Sequence, residues 1–336
     1  MKIGHHDIDK SVFIIAEIGN NHEGDFLLAQ DMIYAAAEAG VHAVKFQTII
    51  PERLVAKSQL ERIAQLRQFA FSPDQFAELA GTANKVGVEF LSTPFTPEVI
   101  PWLNELVIAF KVASGDNNYL ALLREIASTG KPVLLSTGMS TLDDVKWAIE
   151  IIKTTWQNKG KHADLLLLHC VSAYPTPVEQ ANLAAIQTLS HATGYPVGYS
   201  DHTLGIEACV VAVCLGARVI EKHFTLCKSQ SNFRDHALSA DPSEMATLVK
   251  RVQEVQQLLG DGVKRIQEVE IPTISVARRS IVARTALAAG HFLSPEDLDC
   301  LRPGGGLPPS YEKFLVGHRL LKAVDEGEQL TLEKVD

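Results

Sequence analysis

Lys45, Lys111, Glu17, Glu221, His202 and His223 interrupt or end short apolar runs of a 336-residue chain. Side chains alternate along a strand, so Lys45 and Gln47 share one face of AVKFQT while Phe46 takes the other. By the same parity Glu221 and His223 share a face of VIEKHF. Further polar groups stand at comparable points: Ser92 and Thr93, Ser114 and Asp116, Ser136 and Thr137, His169 with Ser172 and Tyr174, and Asp201. Each alone reads as a loop-facing group at a strand end. Two buried ammonium groups need either carboxylate partners, for which Glu17 and Glu221 are available, or an anionic ligand. A phosphate or carboxylate held by lysines, hydroxyls and backbone amides is the chemistry this set suits. His202 and His223 suit one open, exchangeable divalent ion, or two hydrogen-bonding imidazoles.

The elements that must position these residues alternate along the chain. Apolar runs rich in Val, Ile and Leu at 12–18, 43–47, 88–92, 109–113, 132–136, 165–169, 197–200 and 218–223 read as buried parallel strands. Helical patterns separate them, at 26–39 before Gly40, 73–85 after the cap pair Ser72-Pro73, 141–152 with Asp143 and Asp144 in its first turn, and 243–259 before Gly260. Eight strand-then-helix units predict a (β/α)8 TIM barrel over residues 1–260, with the active site at the strands' C-terminal ends. The rival is an open doubly wound sheet, and no GxGxxG follows the first strand to support its dinucleotide-binding form. Residues 261–277 are polar and read as a linker, and 278–336, with short runs and Gly-rich turns, as a small β-rich domain.

Composition sets outer bounds. Apolar residues at 46% support a packed core. A net charge of −9 argues against nucleic acid as a partner and means that any anion must be held locally. No apolar run approaches membrane-spanning length and no signal-peptide pattern opens the chain. Five cysteines form no CxxC pair, so reduced thiols, no membrane and a cytoplasmic setting are expected.

In order along the chain, IIAEIGNNHEGD, AVKFQT, EFLSTPF, KVASGDNN, LLSTGM, LHCVSAYPTP, GYSDHT and GARVIEKHFTL resemble the sialic acid synthase family. RRSIVAR and LRPGGGLPP resemble that family's C-terminal antifreeze-like (SAF) domain. The resemblance implies a transferase that condenses phosphoenolpyruvate with an N-acetylated aminosugar, releasing phosphate and forming a nine-carbon 2-keto acid. N-acetylmannosamine, giving N-acetylneuraminate, is the first expectation. It further implies that Lys45, Lys111, Ser114 and Ser136 hold the phosphoenolpyruvate, with Gln47 and Thr93 beside them. His202 and His223 would hold Mn2+ or Mg2+, and Tyr174 and Asp235 would touch the acceptor. Arg302 would reach the acceptor of the partner chain in a domain-swapped homodimer. Asp116 and Ser172 depart from residues found in some family members, and both are expected on the acceptor side.

Glu17 or Asp235 is expected to move protons in the reaction, Glu17 first. The alternatives are the same condensation on a 6-deoxy diacetamido sugar, giving legionaminic or pseudaminic acid, a metal-dependent pyruvate aldolase, and a Schiff-base aldolase using Lys45 or Lys111. A non-catalytic carbohydrate-binding or ice-binding protein is the reading from another class.

Overall fold

The computed structural model describes residues 1–336, and the chain divides into two units, Met1–Gly260 and Asp261–Asp336. In the first unit eight parallel strands close into a barrel. They are β1 (Phe13–Gly19), β2 (Ala43–Thr48), β3 (Glu89–Pro94), β4 (Phe110–Val112), β5 (Val133–Ser136), β6 (Leu165–His169), β7 (Val197–Asp201) and β8 (Val219–His223). β8 pairs with β1, which excludes the open-sheet rival. Each apolar run read from the sequence is one of these strands, because a strand buried on both faces carries few polar interruptions.

Crossover helices return the chain after each strand: α1 (Phe26–Glu38), α2 (Pro73–Val86), α3 (Ile100–Leu103), α4 (Leu120–Thr129), α5 (Leu142–Asn158), α6 (Ala185–Thr193), α7 (Glu207–Cys214) and α8 (Pro242–Leu259). Reciprocal capping boxes start three of them, Ser72 with Gln75, Thr141 with Asp144 and Asp241 with Glu244. The chain between β2 and α2 is longer and carries two extra helices, Pro51–Leu54 and Leu60–Phe69.

Alternation along the strands sorts the core into two layers. Phe13, Ile15, Ala43, Leu91, Ala109, Leu134, Leu166, Leu168 and Val219 fill the barrel interior, joined by Ile3 and Ile8 from around an N-terminal hairpin. Phe46, Phe90, Phe110, Leu135, Leu167, Tyr199 and Ile220 face outward and pack with the helices. The interior is therefore a packed plug, and polar side chains follow it only toward the strands' C-terminal ends.

In the second unit, β9 (Ser280–Ala283) and β10 (Leu298–Leu301) pair antiparallel over a core that includes Ile281, Leu293, Leu315, Leu320 and Leu330. The stretch 261–277, read as a plain linker, carries the helix Ile271–Ala277. No helix of the chain is long and apolar enough to cross a membrane. All five cysteines are free thiols.

Candidate active site

Strand register sets the functional groups side by side. His223 of β8 is the partner of Glu17 on β1, and Glu17 is the partner of Lys45 on β2. Gln47 pairs with Thr93 of β3, and Ser200 of β7 with Glu221 of β8. These residues line a cavity of about 960 Å³ at the barrel mouth, together with Lys111, Ser114, Ser136, Ser172, Tyr174, His202 and Asp235. Twelve of the fourteen residues given a catalytic, binding or metal role in the sequence analysis thus share one cavity. Asp116 ends the turn after β4 and is not among the lining side chains, and Arg302 belongs to the second unit.

The centre is a buried four-charge cluster. Lys45 Nζ lies 2.7 Å from Glu17 Oε2 and 3.7 Å from Glu221 Oε2, and it donates to Thr93 Oγ1 at 2.9 Å. Lys111 Nζ lies 3.4 Å from Glu221 Oε1, which also accepts from Ser200 Oγ at 2.8 Å. The carboxylate partners foreseen for the lysines are therefore present, so the lysines are balanced rather than bare. Gln47 Nε2 donates to Glu17 Oε1, and Asn20 donates to Gln47 Oε1.

The two glutamates differ in proton affinity. Burial, together with the nearby Glu221 charge, outweighs Lys45 and pushes the Glu17 carboxyl up to about 6. Burial also works to raise Glu221, but Lys111 and Lys45 outweigh it and hold that carboxyl down at about 2. One group sits near neutrality and the other is a fixed anion, the separation expected where one carboxylate moves a proton and its neighbour does not.

Two hydroxyls and a glycine form the wall opposite Glu17. Ser114 Oγ accepts from Gly138 N at 3.2 Å and lies 3.0 Å from Cys170 Sγ. A Cβ at Gly138 would stand 2.6 Å from Ser172 Oγ and 2.7 Å from Ser114 Oγ, so any side chain there pushes these hydroxyls aside. Ser136 Oγ and Ser172 Oγ are buried with no partner, as a site built to donate to a ligand requires.

The two imidazoles fit a shared ion. His202 Nδ1 donates to Val171 O at 2.7 Å, which leaves Nε2 with a lone pair. His223 Nδ1 is buried with no hydrogen-bond partner. Burial lowers the proton affinity of both rings, so both are neutral, as ligation demands. Their centroids are 5.5 Å apart. Nitrogens about 2.1 Å from one ion would put the centroids about 4.5–6.4 Å apart. No group of three or more His, Cys, Asp or Glu gathers to hold a metal, so two protein ligands would leave an open coordination shell.

The outer wall is made by residues the sequence reading did not single out. Arg234 stacks over the Tyr174 ring at 4.6 Å and its Nε donates to Asp235 Oδ1 at 2.9 Å. Phe69, Phe95 and Phe233 form an apolar patch with the loop helix, and Gln65 and Gln68 of that helix line the cavity. Glu23 reaches His236, whose other nitrogen meets Thr225, and this anchors the segment bearing Asp235. Strand parity would have found Ser200, and Arg234 stands next to Asp235 in the chain, whereas nothing in the sequence marks the loop helix as a neighbour of the site. Parity also corrects four residues set at the mouth. Ser92, Thr137, His169 and Asp201 do not line the cavity, and they bond instead to Thr48, Leu168 O, Ala181 O and Lys222.

The NeuB family model matches residues 32–264 and the SAF domain model residues 278–336. The chain is 40% identical over 338 residues to N,N'-diacetyllegionaminic acid synthase of Legionella pneumophila, covering 96% of this chain and 94% of that protein. It is 36% identical over 344 residues to a pseudaminic acid synthase of Campylobacter jejuni, covering 98% of each. The crystal structure of N-acetylneuraminic acid (sialic acid) synthetase from Leptospira borgpetersenii, in complex with citrate, superposes with a TM-score of 0.76 at 36% identity. That match covers 82% of this chain and 94% of the other.

Proposed function

The chain belongs to the NeuB family and carries a SAF domain, and from that premise we propose that it condenses phosphoenolpyruvate with an N-acetylated aminosugar, forming a sialic-acid-type 2-keto acid and phosphate. The observation that carries this reading is one cavity in which Lys45 and Lys111, already paired with Glu17 and Glu221, meet buried donors that still lack a partner, the Ser136 and Ser172 hydroxyls. Such a cavity seats a small polyanion against the global field.

In this reading Lys45, Lys111, Ser114 and Ser136 hold the phosphoenolpyruvate carboxylate and phosphate, and Gln47 and Thr93 keep Glu17 and Lys45 in place. Asp235 and Tyr174 orient the acceptor so that its carbonyl carbon faces C3 of the enol. C3 bonds to that carbon, a water oxygen adds at C2, and the C2–O bond to phosphate breaks. Glu17, nearest neutrality, takes the proton from the water. Asp235 relays a proton to the acceptor oxygen, which becomes a hydroxyl, and the hydroxyl left at C2 gives up its proton as phosphate departs and the C2 carbonyl forms. His202 and His223 would hold Mn2+ or Mg2+, which when bound supplies Lewis-acid polarisation of a carbonyl oxygen.

The acceptor has two candidates. A 6-deoxy diacetamido hexose suits the apolar patch of Phe69, Phe95 and Phe233 and agrees with the name of the 40%-identical relative. N-acetylmannosamine, the first expectation from sequence, remains the second reading. A homodimer in which Arg302 of one copy serves the other copy's acceptor also belongs to this proposal.

The test is phosphate release from phosphoenolpyruvate across N-acetylmannosamine and diacetamido 6-deoxyhexoses, with and without Mn2+, the products being identified by mass. Acceptor-dependent release with a product heavier by the three-carbon unit supports the proposal. Release of phosphate without any acceptor dependence, or none with any sugar, defeats it.

A further inference from the structure

The ion pair between Asp201 and Lys222 is the most deeply buried in the molecule, and the chemistry above does not use it. Asp201 ends β7 and Lys222 is its register partner on β8. The next residue along the chain is in each case a histidine, His202 just past β7 and His223 at the end of β8. Alternation turns the histidines into the cavity, while Asp201 and Lys222 are absent from its lining and expose no side-chain surface.

Every bond of the pair runs to its own surroundings. Lys222 Nζ lies 2.7 Å from Asp201 Oδ2 and donates to Thr203 O at 2.6 Å. Asp201 Oδ1 accepts from Tyr199 Oη at 3.0 Å and from Thr203 N at 2.8 Å. Cys209 Sγ of α7 lies 3.3 Å from Oδ2. His202 is thus clamped from both flanks, by the Asp201 side chain and by the N–H and C=O of Thr203. Its own ring is fixed to Val171 O.

Stability does not explain the pair. Burying two charges costs dehydration that their attraction often fails to offset, and apolar residues of similar size commonly do as well or better. Tyr199 and Cys209, which touch the pair, belong to the apolar layer between barrel and helices, as does Ile220 of β8. What an ion pair adds is direction: its hydrogen bonds fix the two strand ends laterally and axially, where apolar packing would let them slide.

We infer that Asp201 and Lys222 are positioning residues that hold His202 and His223 at a spacing able to share a divalent ion. The inference rests on the metal reading of these histidines. Groups hydrogen-bonded to a metal-ligating histidine commonly affect affinity about 10- to 100-fold, and Asp201 and Lys222 act on the same rings one residue away, through the backbone they fix.

The test measures Mn2+ affinity on the full chain by titration calorimetry and by the loss of the free-Mn2+ paramagnetic signal, alongside the melting temperature. Lys222→Met alone strands a buried carboxylate and should melt well below the parent. The double variant Asp201→Leu/Lys222→Met should regain the parent melting temperature yet bind Mn2+ about 10-fold or more weakly. Lys222→Arg, which keeps the charge and the donors, should stay within about threefold of the parent. Should the double variant fail to fold, Tyr199→Phe removes one bond to Asp201 and no charge, and it should weaken Mn2+ binding measurably. Parent-like Mn2+ affinity in the folded double variant, or in Tyr199→Phe when that variant is the one measured, overturns the inference. Absence of saturable Mn2+ binding in the parent, or binding unchanged by His202→Ala, is a different result. It defeats the metal reading itself and removes the inference with it.

Discussion

Glu17→Gln separates the two things Glu17 does. The carboxyl is raised from 4.5 to about 6 by burial, a difference of about 1.5 units, or about 2 kcal/mol at about 1.36 kcal/mol per unit. The fold binds this proton more tightly than the unfolded chain does. The protonated form therefore stabilises the fold below the unfolded value of 4.5, and that contribution is lost as pH rises through 6. At pH 7 the ionised group is a net cost, and neutral, isosteric glutamine escapes it. The variant should be more stable by up to about 2 kcal/mol at pH 7, a rise in Tm of about 4–8 °C for a unit of this size. The gain should vanish below about pH 4.5, where Glu17 is protonated in both states. Catalysis should move the opposite way. A lost general base costs about 10²–10⁴ in kcat, while KM for phosphoenolpyruvate stays level or falls, because one negative charge has left the Lys45 cluster. The rising limb of the parent's kcat/KM profile, with its midpoint at about 6, should flatten. Thermal melts from pH 4 to 8 and initial rates of phosphate release are the assays. A variant that is less stable than the parent at pH 7, or that keeps parent kcat and the same pH limb, refutes the reasoning.

Other perturbations give equally direct readouts. His202→Ala or His223→Ala should abolish metal-stimulated phosphate release while the circular dichroism spectrum stays that of the parent, and full activity in either variant would contradict the shared-ion reading. Gly138→Ala drives a methyl to 2.6 Å from Ser172 Oγ and 2.7 Å from Ser114 Oγ. Its KM for phosphoenolpyruvate should rise by about 10-fold or more, since displacements near 1 Å cost up to about 10²-fold. Asp241→Ala removes the cap that accepts from Glu244 N at 2.9 Å. It should cost about 1 kcal/mol, read as a lower melting temperature with kcat unchanged.

Much of this architecture is visible in the chain itself, for reasons that also explain the misses. Strands such as Leu165–His169 are sealed on both faces, so their residues are uniformly apolar and their ends are marked by the first polar group. Parity then sorts that group inward or outward. It holds for Lys45 against Phe46, and it puts Asp201 behind the site rather than in it. The N-terminal hairpin has strands of two residues, Lys2–Ile3 and His6–Asp7, too short to carry any period. The helix Leu60–Phe69 buries only Ile63, Leu66 and Phe69, and its partners Phe95 and Phe233 are far away in sequence. Arg234 joins the site through Tyr174, sixty residues earlier, a contact that only the closed barrel creates. The sequence names the cluster's members and offers Glu17 and Glu221 as partners for the lysines, but only closure of the barrel brings Lys111 of β4 to Glu221 of β8, a strand that is not its neighbour.

In the proposed reaction the barrel mouth seats phosphoenolpyruvate between Lys45, Lys111, Ser114 and Ser136. A crystal structure of the protein soaked with phosphoenolpyruvate in the absence of any sugar tests it most directly. The expected result is an intact enol phosphate whose carboxylate and phosphate oxygens lie within hydrogen-bond reach of those four side chains. Density for the ligand outside this cavity, or a covalent adduct on Lys45 or Lys111, would contradict it.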